Sequence, residues 1–190
     1  MIHMERLRRY AEELRRLFDG ADANDICRYY DIACIDFDFG TEDGCIKGFI
    51  QRNNRCYAIV VNSNLPGPLR EIVILHEIMH YRLGHLSSTV CTFQDCYFSY
   101  SNSRDSRMRM ENEANFLLSD YLLDDKTTIE TLREYPLEKA ASSLCVPGEI
   151  LSFKCRILSY YKLLPINPGV SFDVDSDFLG EIDCRQFQIP

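Results

Sequence analysis

The sequence predicts an α+β fold: a helical single domain around a small antiparallel sheet of about three strands. Apolar residues recur at three- and four-residue spacing over most of the chain, the period of helices that bury one face. Between residues 32 and 61 the pattern changes to short apolar runs separated by glycine and polar clusters, the signature of strands and turns. There is no internal repeat and no second apolar core, so residues 1–165 are expected to fold as one domain and residues 166–190 to form an acidic extension.

The elements follow in order. Leu7, Tyr10, Ala11, Leu14, Leu17 and Phe18 mark an amphipathic helix over 4–18 that stops near Gly20. Asp22 suits the N-cap of a short second helix over 23–30. Three strands are expected, from Ile32 to Phe39, Cys45 to Ile50 and Cys56 to Val61, with turns at Gly40–Gly44 and Gln51–Arg55. Asn62–Pro68 then breaks the last strand and prepares a helix whose face carries Ile72, Val73, His76, His80 and Leu83, with Gly84 as its cap. Residues 86–105 have no clear period and read as a long loop, a candidate lid or docking element. Met110, Ala114, Leu117, Leu118, Tyr121 and Leu122 give the stripe of a second long helix, and shorter helices follow at 128–134, at 137–144 and after Pro147.

Composition excludes several classes. The 190 residues carry 21 basic and 29 acidic side chains, a net charge of −8, which argues against a broad nucleic-acid surface. No apolar run approaches the roughly 20 residues of a membrane span, and residues 5–16 read as a charged helix rather than a secretory signal. A cytoplasmic location is therefore expected, with the nine cysteines as reduced thiols rather than a disulfide framework. Cys91 and Cys96 have metal-pair spacing, but no second pair accompanies them. Arg104, Arg107 and Arg109 read as a solvated helix start, with a docking patch for an acidic partner as the other reading.

The chemistry concentrates at His76-Glu77-Ile78-Met79-His80. Helix positions four apart are only about 40° apart in projection, so both imidazoles reach one metal ion from one face. Glu77 points about 100° round, placed to take a proton from water. This H-E-x-x-H arrangement on a helix is that of zinc peptidases and gives the fold a zincin-like active-site helix. A catalytic zinc needs a third protein ligand and an open position. Glu113 neighbours the buried stripe through Ala114 and Leu117 and is the candidate, while Glu111, about 200° away, is expected to face solvent. Asp120 returns to the face of Glu113 and is a possible partner for the distal N–H of a ligating histidine, a surface position being the other reading. Tyr81, His85, Tyr97, Tyr100 and Tyr121 are eligible oxyanion donors, and His85 reads as a surface residue or one behind a ligand.

Ile59-Val60-Val61-Asn62, the stretch His76 to His85, and Glu113-Ala114-Asn115-Phe116-Leu117-Leu118-Ser119-Asp120-Tyr121-Leu122-Leu123 together resemble the ImmA/IrrE metallopeptidase family, as does the closing Val146-Pro147-Gly148-Glu149-Ile150 helix. The resemblance covers about residues 5–165. Ile78 and Met79 stand where the family usually has Leu and Gly, and Asp124 where a Pro often ends the Glu-Ala-Asn helix. The resemblance implies a gluzincin-like peptidase with His76, His80 and Glu113 as ligands of Zn2+ and Glu77 as general base. It further implies a narrow protein substrate: a helix-turn-helix repressor of a phage, mobile element or stress regulon. The alternative is a metal-stabilised anti-repressor that sequesters such a regulator without hydrolysis. Direct DNA binding by residues 137–163, through Lys139, Lys154, Arg156 and Lys162, is disfavoured by the acidic balance.

Overall fold

The computed structural model describes residues 3–86 and 104–164, excluding the side chains of 104–108. The element order is α1 (Met4–Leu17), α2 (Ala23–Tyr29), β1 (Ile32–Phe37), β2 (Gly48–Asn53), β3 (Cys56–Asn62), α3 (Gly67–Leu83), α4 (Arg104–Leu122), α5 (Asp125–Glu134), α6 (Leu137–Ser143) and α7 (Gly148–Tyr160). This is the expected α+β class, mostly helical with one three-stranded sheet among the described residues. The described residues form two compact units: one runs from Gly20 to Glu111, the other joins the residues up to Asp19 with those from Asn112 to Leu164.

In the Gly20–Glu111 unit, Asp22 caps α2 as expected: its side chain accepts from the Asp25 N–H at 2.7 Å, and the Asp25 carboxylate returns the bond. The sheet differs from the all-antiparallel expectation. β2 and β3 form an antiparallel hairpin, but β1 pairs with β3 in parallel, giving the order β1-β3-β2. β2 therefore lies beyond β3, and residues 38–47 cross the end of β3 instead of making a tight turn.

Asn62, 1% exposed, clamps that crossing. Its Nδ2 donates to the Gly40 and Ile46 carbonyls at 2.9 and 3.1 Å, and its Oδ1 accepts from the Asn64 N–H at 3.1 Å. The polar side chain that ends β3 thus supplies the backbone partners that an irregular buried loop lacks. β2 also begins three residues later than its apolar run, and Asn54, at a φ of 55°, makes the reversal into β3. α3 packs closely on the sheet: a Cβ at Gly48 would lie 2.6 Å from Val73 Cγ1 and 3.1 Å from the Val60 carbonyl oxygen.

In the other unit Leu7, Ala11 and Leu14 bury one face of α1. Asp124, which stands where the resembled family often has a proline, caps α5 by accepting from the Thr127 N–H at 2.9 Å. Phe116 on α4 meets Phe153 on α7 edge-on with ring centroids 5.0 Å apart, and the Arg156 guanidinium lies over the Phe116 ring at 5.0 Å. Lys154, one of the basic residues of the disfavoured DNA-binding reading, is fully buried on α7. Its Nζ lies 2.5 Å from Asp120 Oδ1 and 2.7 Å from Asp125 Oδ1, and Asp125 also pairs with Arg8 of α1. No helix among the described residues is long and apolar enough to cross a membrane.

Candidate metal centre

α3 is buried without interruption from Ile72 to His80, which puts three ionisable side chains inside the protein. His76 is 0%, Glu77 4% and His80 8% exposed. Gly84 ends the helix at a φ of 72°, a left-handed turn that glycine adopts without steric cost.

The imidazoles meet as their spacing predicts, His76 Nε2 lying 3.0 Å from His80 Nε2. The carboxylate that joins them is Glu111: its Oε2 is 3.2 Å from His76 Nε2 and 3.3 Å from His80 Nε2. These three are the group of donors among the described residues that could hold a metal ion. They fit one: four tetrahedral ligands about 2.0–2.1 Å from a zinc ion stand roughly 3.3 Å from one another.

Glu111, expected to face solvent, is therefore the carboxylate at the histidine pair, while Glu113, the expected third ligand, is buried but pairs elsewhere. Glu113 lies in the unit that contains α1, its carboxylate 3.7 Å from the Arg6 guanidinium. Asp120 is engaged by Lys154 of the same unit. A single buried stripe on α4 would turn Glu113 inward and Glu111 outward, but every residue from Glu113 to Asp120 is buried. A helix enclosed on several sides has more than one inward face. The signal for Glu111 lay in its relation to Ala114 and Leu118, three and seven residues on and within about 60° of it in projection.

Two carboxyl groups here are driven apart in acidity. Burial by itself would raise the Glu111 carboxyl, but His80 and His76 outweigh it and hold Glu111 well below the usual carboxylate range. Burial pushes Glu77 up to about 7, and the Glu111 charge acts in the same direction, against the pull of His80 and the Ile50 N–H. That N–H donates to Glu77 Oε2 at 2.9 Å and fixes the carboxylate against β2. One carboxylate thus stays ionised as a metal-type donor, and the other is poised to take or give a proton near neutral pH.

His85 lies behind His80, with the two Nδ1 atoms 2.9 Å apart. A His80 that offers Nε2 as a donor carries its proton on Nδ1, and this N–H donates to His85 Nδ1. The sequence left His85 between a surface residue and one behind a ligand; its ring packs against that of His80, with centroids 4.9 Å apart. Tyr81 packs its ring between those of Tyr30 and Tyr57, with centroids 5.2 and 4.9 Å away. Tyr97, Tyr100, Cys91, Cys96, most of the 86–105 loop and the 166–190 extension lie outside the described residues, as do the side chains of Arg104 and Arg107.

A family model described as Peptidase M78, IrrE N-terminal-like domain, matches residues 27–155. The match runs from the last turns of α2 through the sheet, both histidines and Glu111 to α7. No curated protein matches the chain.

Proposed function

Given that the chain belongs to the IrrE N-terminal-like family of peptidases, we propose that it is a zinc-dependent endopeptidase that inactivates a helix-turn-helix transcriptional repressor by cleavage. One observation carries the reading: His76, His80 and Glu111 converge as donors while Glu77, on the same helix, is buried and poised near neutrality. A divalent ion bound by the three donors supplies Lewis-acid activation of water and of a scissile carbonyl. Glu77 accepts the proton that water loses and returns it to the leaving amine. The Ile50 N–H keeps the Glu77 carboxylate aimed while it changes protonation state. His85 holds the His80 ring in the tautomer that leaves Nε2 free.

Zinc is favoured by a set of two imidazoles and one carboxylate. The repressor substrate rests on the family resemblance and on the need for a peptidase inside a cell to be selective. A protein that only sequestered a regulator would need the donors but no base beside them. Incubating the zinc-loaded chain with the repressor encoded beside its gene is expected to give defined fragments. An intact repressor, together with Glu77→Gln as potent as wild type in cells, would leave sequestration as the function.

The ligand set is separable by calorimetry with zinc on the metal-free protein. Glu111→Gln is expected to weaken binding by about two orders of magnitude or more, as loss of an anionic ligand does, while Glu113→Gln leaves it within a few-fold of wild type. The opposite ranking would assign the third ligand to Glu113. His85→Phe is expected to weaken zinc about 10–100-fold without abolishing it, the usual cost of losing a group that orients a ligating imidazole. Unchanged affinity would leave the contact between His85 and His80 without a role in binding.

A further inference from the structure

Remote in function from the histidine pair, the Gly20–Glu111 unit holds two interacting thiols. Cys27 lies in the last turns of α2 and is 2% exposed; Cys34 is half-buried on the parallel strand β1. Asp31, at a φ of 54°, reverses the chain between them, so side chains seven positions apart face each other. The two thiols interact, in the direction that holds the proton on Cys27 and favours its loss from Cys34. On its other side Cys34 Sγ lies 3.9 Å from Nη2 of Arg70 on α3, and Asp36, two residues along β1, fixes this guanidinium at 2.8 Å from its Nε. Charged groups reach the thiols from each packed element: Arg28 from α2, Asp36 from β1 and Arg70 from α3. A buried structural cysteine has no use for a guanidinium clamped beside its sulfur.

We propose that Cys34 is a hydroperoxide-reactive thiolate, and that Cys27 resolves its oxidised form into an intramolecular disulfide joining α2 to β1. Three features suit Cys34 to the attack and Cys27 to the second step. Cys34 is the more accessible of the two and is flanked by the cation and the Cys27 thiol, which hold its acidity at about 7 despite partial burial and the nearby Asp36. Cys27 is buried, and its interaction with Cys34 is the foremost cause that keeps its proton in place. The Cys34 thiolate attacks one peroxide oxygen; the O–O bond breaks, the second oxygen leaves as hydroxide or alkoxide and takes up a proton, and a sulfenic acid forms. The Cys27 sulfur then attacks the Cys34 sulfur, and its proton leaves with the sulfenic hydroxyl as water. The peroxide is reduced by two electrons and the thiol pair is oxidised by two. Closing the bond brings the two sulfurs to about 2.05 Å, between a helix and a strand that pack on each other.

The test uses the full chain, treated with hydrogen peroxide, alkylated at its remaining thiols and digested with trypsin for mass spectrometry. Cleavage after Arg28 separates Cys27 from Cys34, so a linked pair of peptides that a thiol reductant releases is the expected product. In Cys27→Ala a dimedone adduct on Cys34 is expected in its place. In the unoxidised protein, iodoacetamide is expected to modify Cys34 with a pH midpoint near 7. Arg70→Gln is expected to move the midpoint upward and slow the reaction at pH 7 about threefold, the lost thiolate fraction being partly offset by higher intrinsic nucleophilicity. The proposal is overturned if Cys34 stays fully alkylatable after peroxide, if it links to another cysteine, or if Arg70→Gln leaves its pH midpoint unchanged. None of these readouts depends on peptidase activity.

Discussion

Glu77→Gln is expected to abolish cleavage while making the metal-free protein more stable. The amide keeps the shape of the carboxyl and an oxygen to accept the Ile50 N–H, but it cannot take a proton from water. Loss of a general base costs about 10²–10⁴-fold in turnover. Zinc affinity should change little, because the donors are His76, His80 and Glu111. Stability should rise because the native fold buries a carboxylate against its preference. With an ordinary value of 4.5 and a folded value of about 7, native Glu77 binds a proton between those limits while the unfolded chain does not. Wild-type stability therefore falls as pH climbs through this window, and the full penalty is present above about 7. The shift corresponds to roughly 3–3.5 kcal/mol, which Gln does not incur. Denaturant titrations of both metal-free proteins at pH 5 and pH 8 check this. The advantage of the variant should be small at pH 5 and largest at pH 8. A gap of the same size at both values, or turnover equal to wild type, would show that Glu77 is not the strained base.

The sequence disclosed what is set locally. Asp22 and Gly84 carry their cap roles in their chemistry, and the H-E-x-x-H spacing alone brings His76 and His80 together. It did not disclose what depends on the third dimension. Three strands in succession look like a meander, yet β1 pairs with β3 because residues 38–47 cross over, and the agent of that crossing is the single buried amide of Asn62. No periodicity encodes such a clamp. The place of Glu111 at the histidine pair has a related origin. Periodicity finds the boundary between one buried face and water, and α4 has no such boundary from Glu113 to Asp120. Lys154 is a further case: helical spacing sets it among the apolar positions of α7, but spacing does not name its partners.

Those partners make Lys154 the position where one substitution should cost the fold most. Lys154→Ala is expected to destabilise the protein by about 3–5 kcal/mol, the range for removing one member of a buried ion pair. The charge lost is the partner of two carboxylates. Asp125 is part-exposed and keeps Arg8, so it is covered. Asp120 is not: its side chain is 2% exposed, Oδ1 is held by Lys154, and Oδ2 has no hydrogen-bond partner among the described residues. The variant strands that charge in the interior, which costs far more than the pair contributes over an apolar replacement. A double mutant tests this cause. Lys154→Met fills the space without the charge and should be as damaging as Ala or nearly so, but Lys154→Met with Asp120→Leu should recover most of the loss. The coupling between the two sites, from urea midpoints at constant m-value, is expected to exceed about 2 kcal/mol. If the single losses merely add, Lys154 acts by packing its alkyl stem. A strong coupling means that electrostatics tie α7 to α4 and α5, the three helices whose side chains meet at this ammonium.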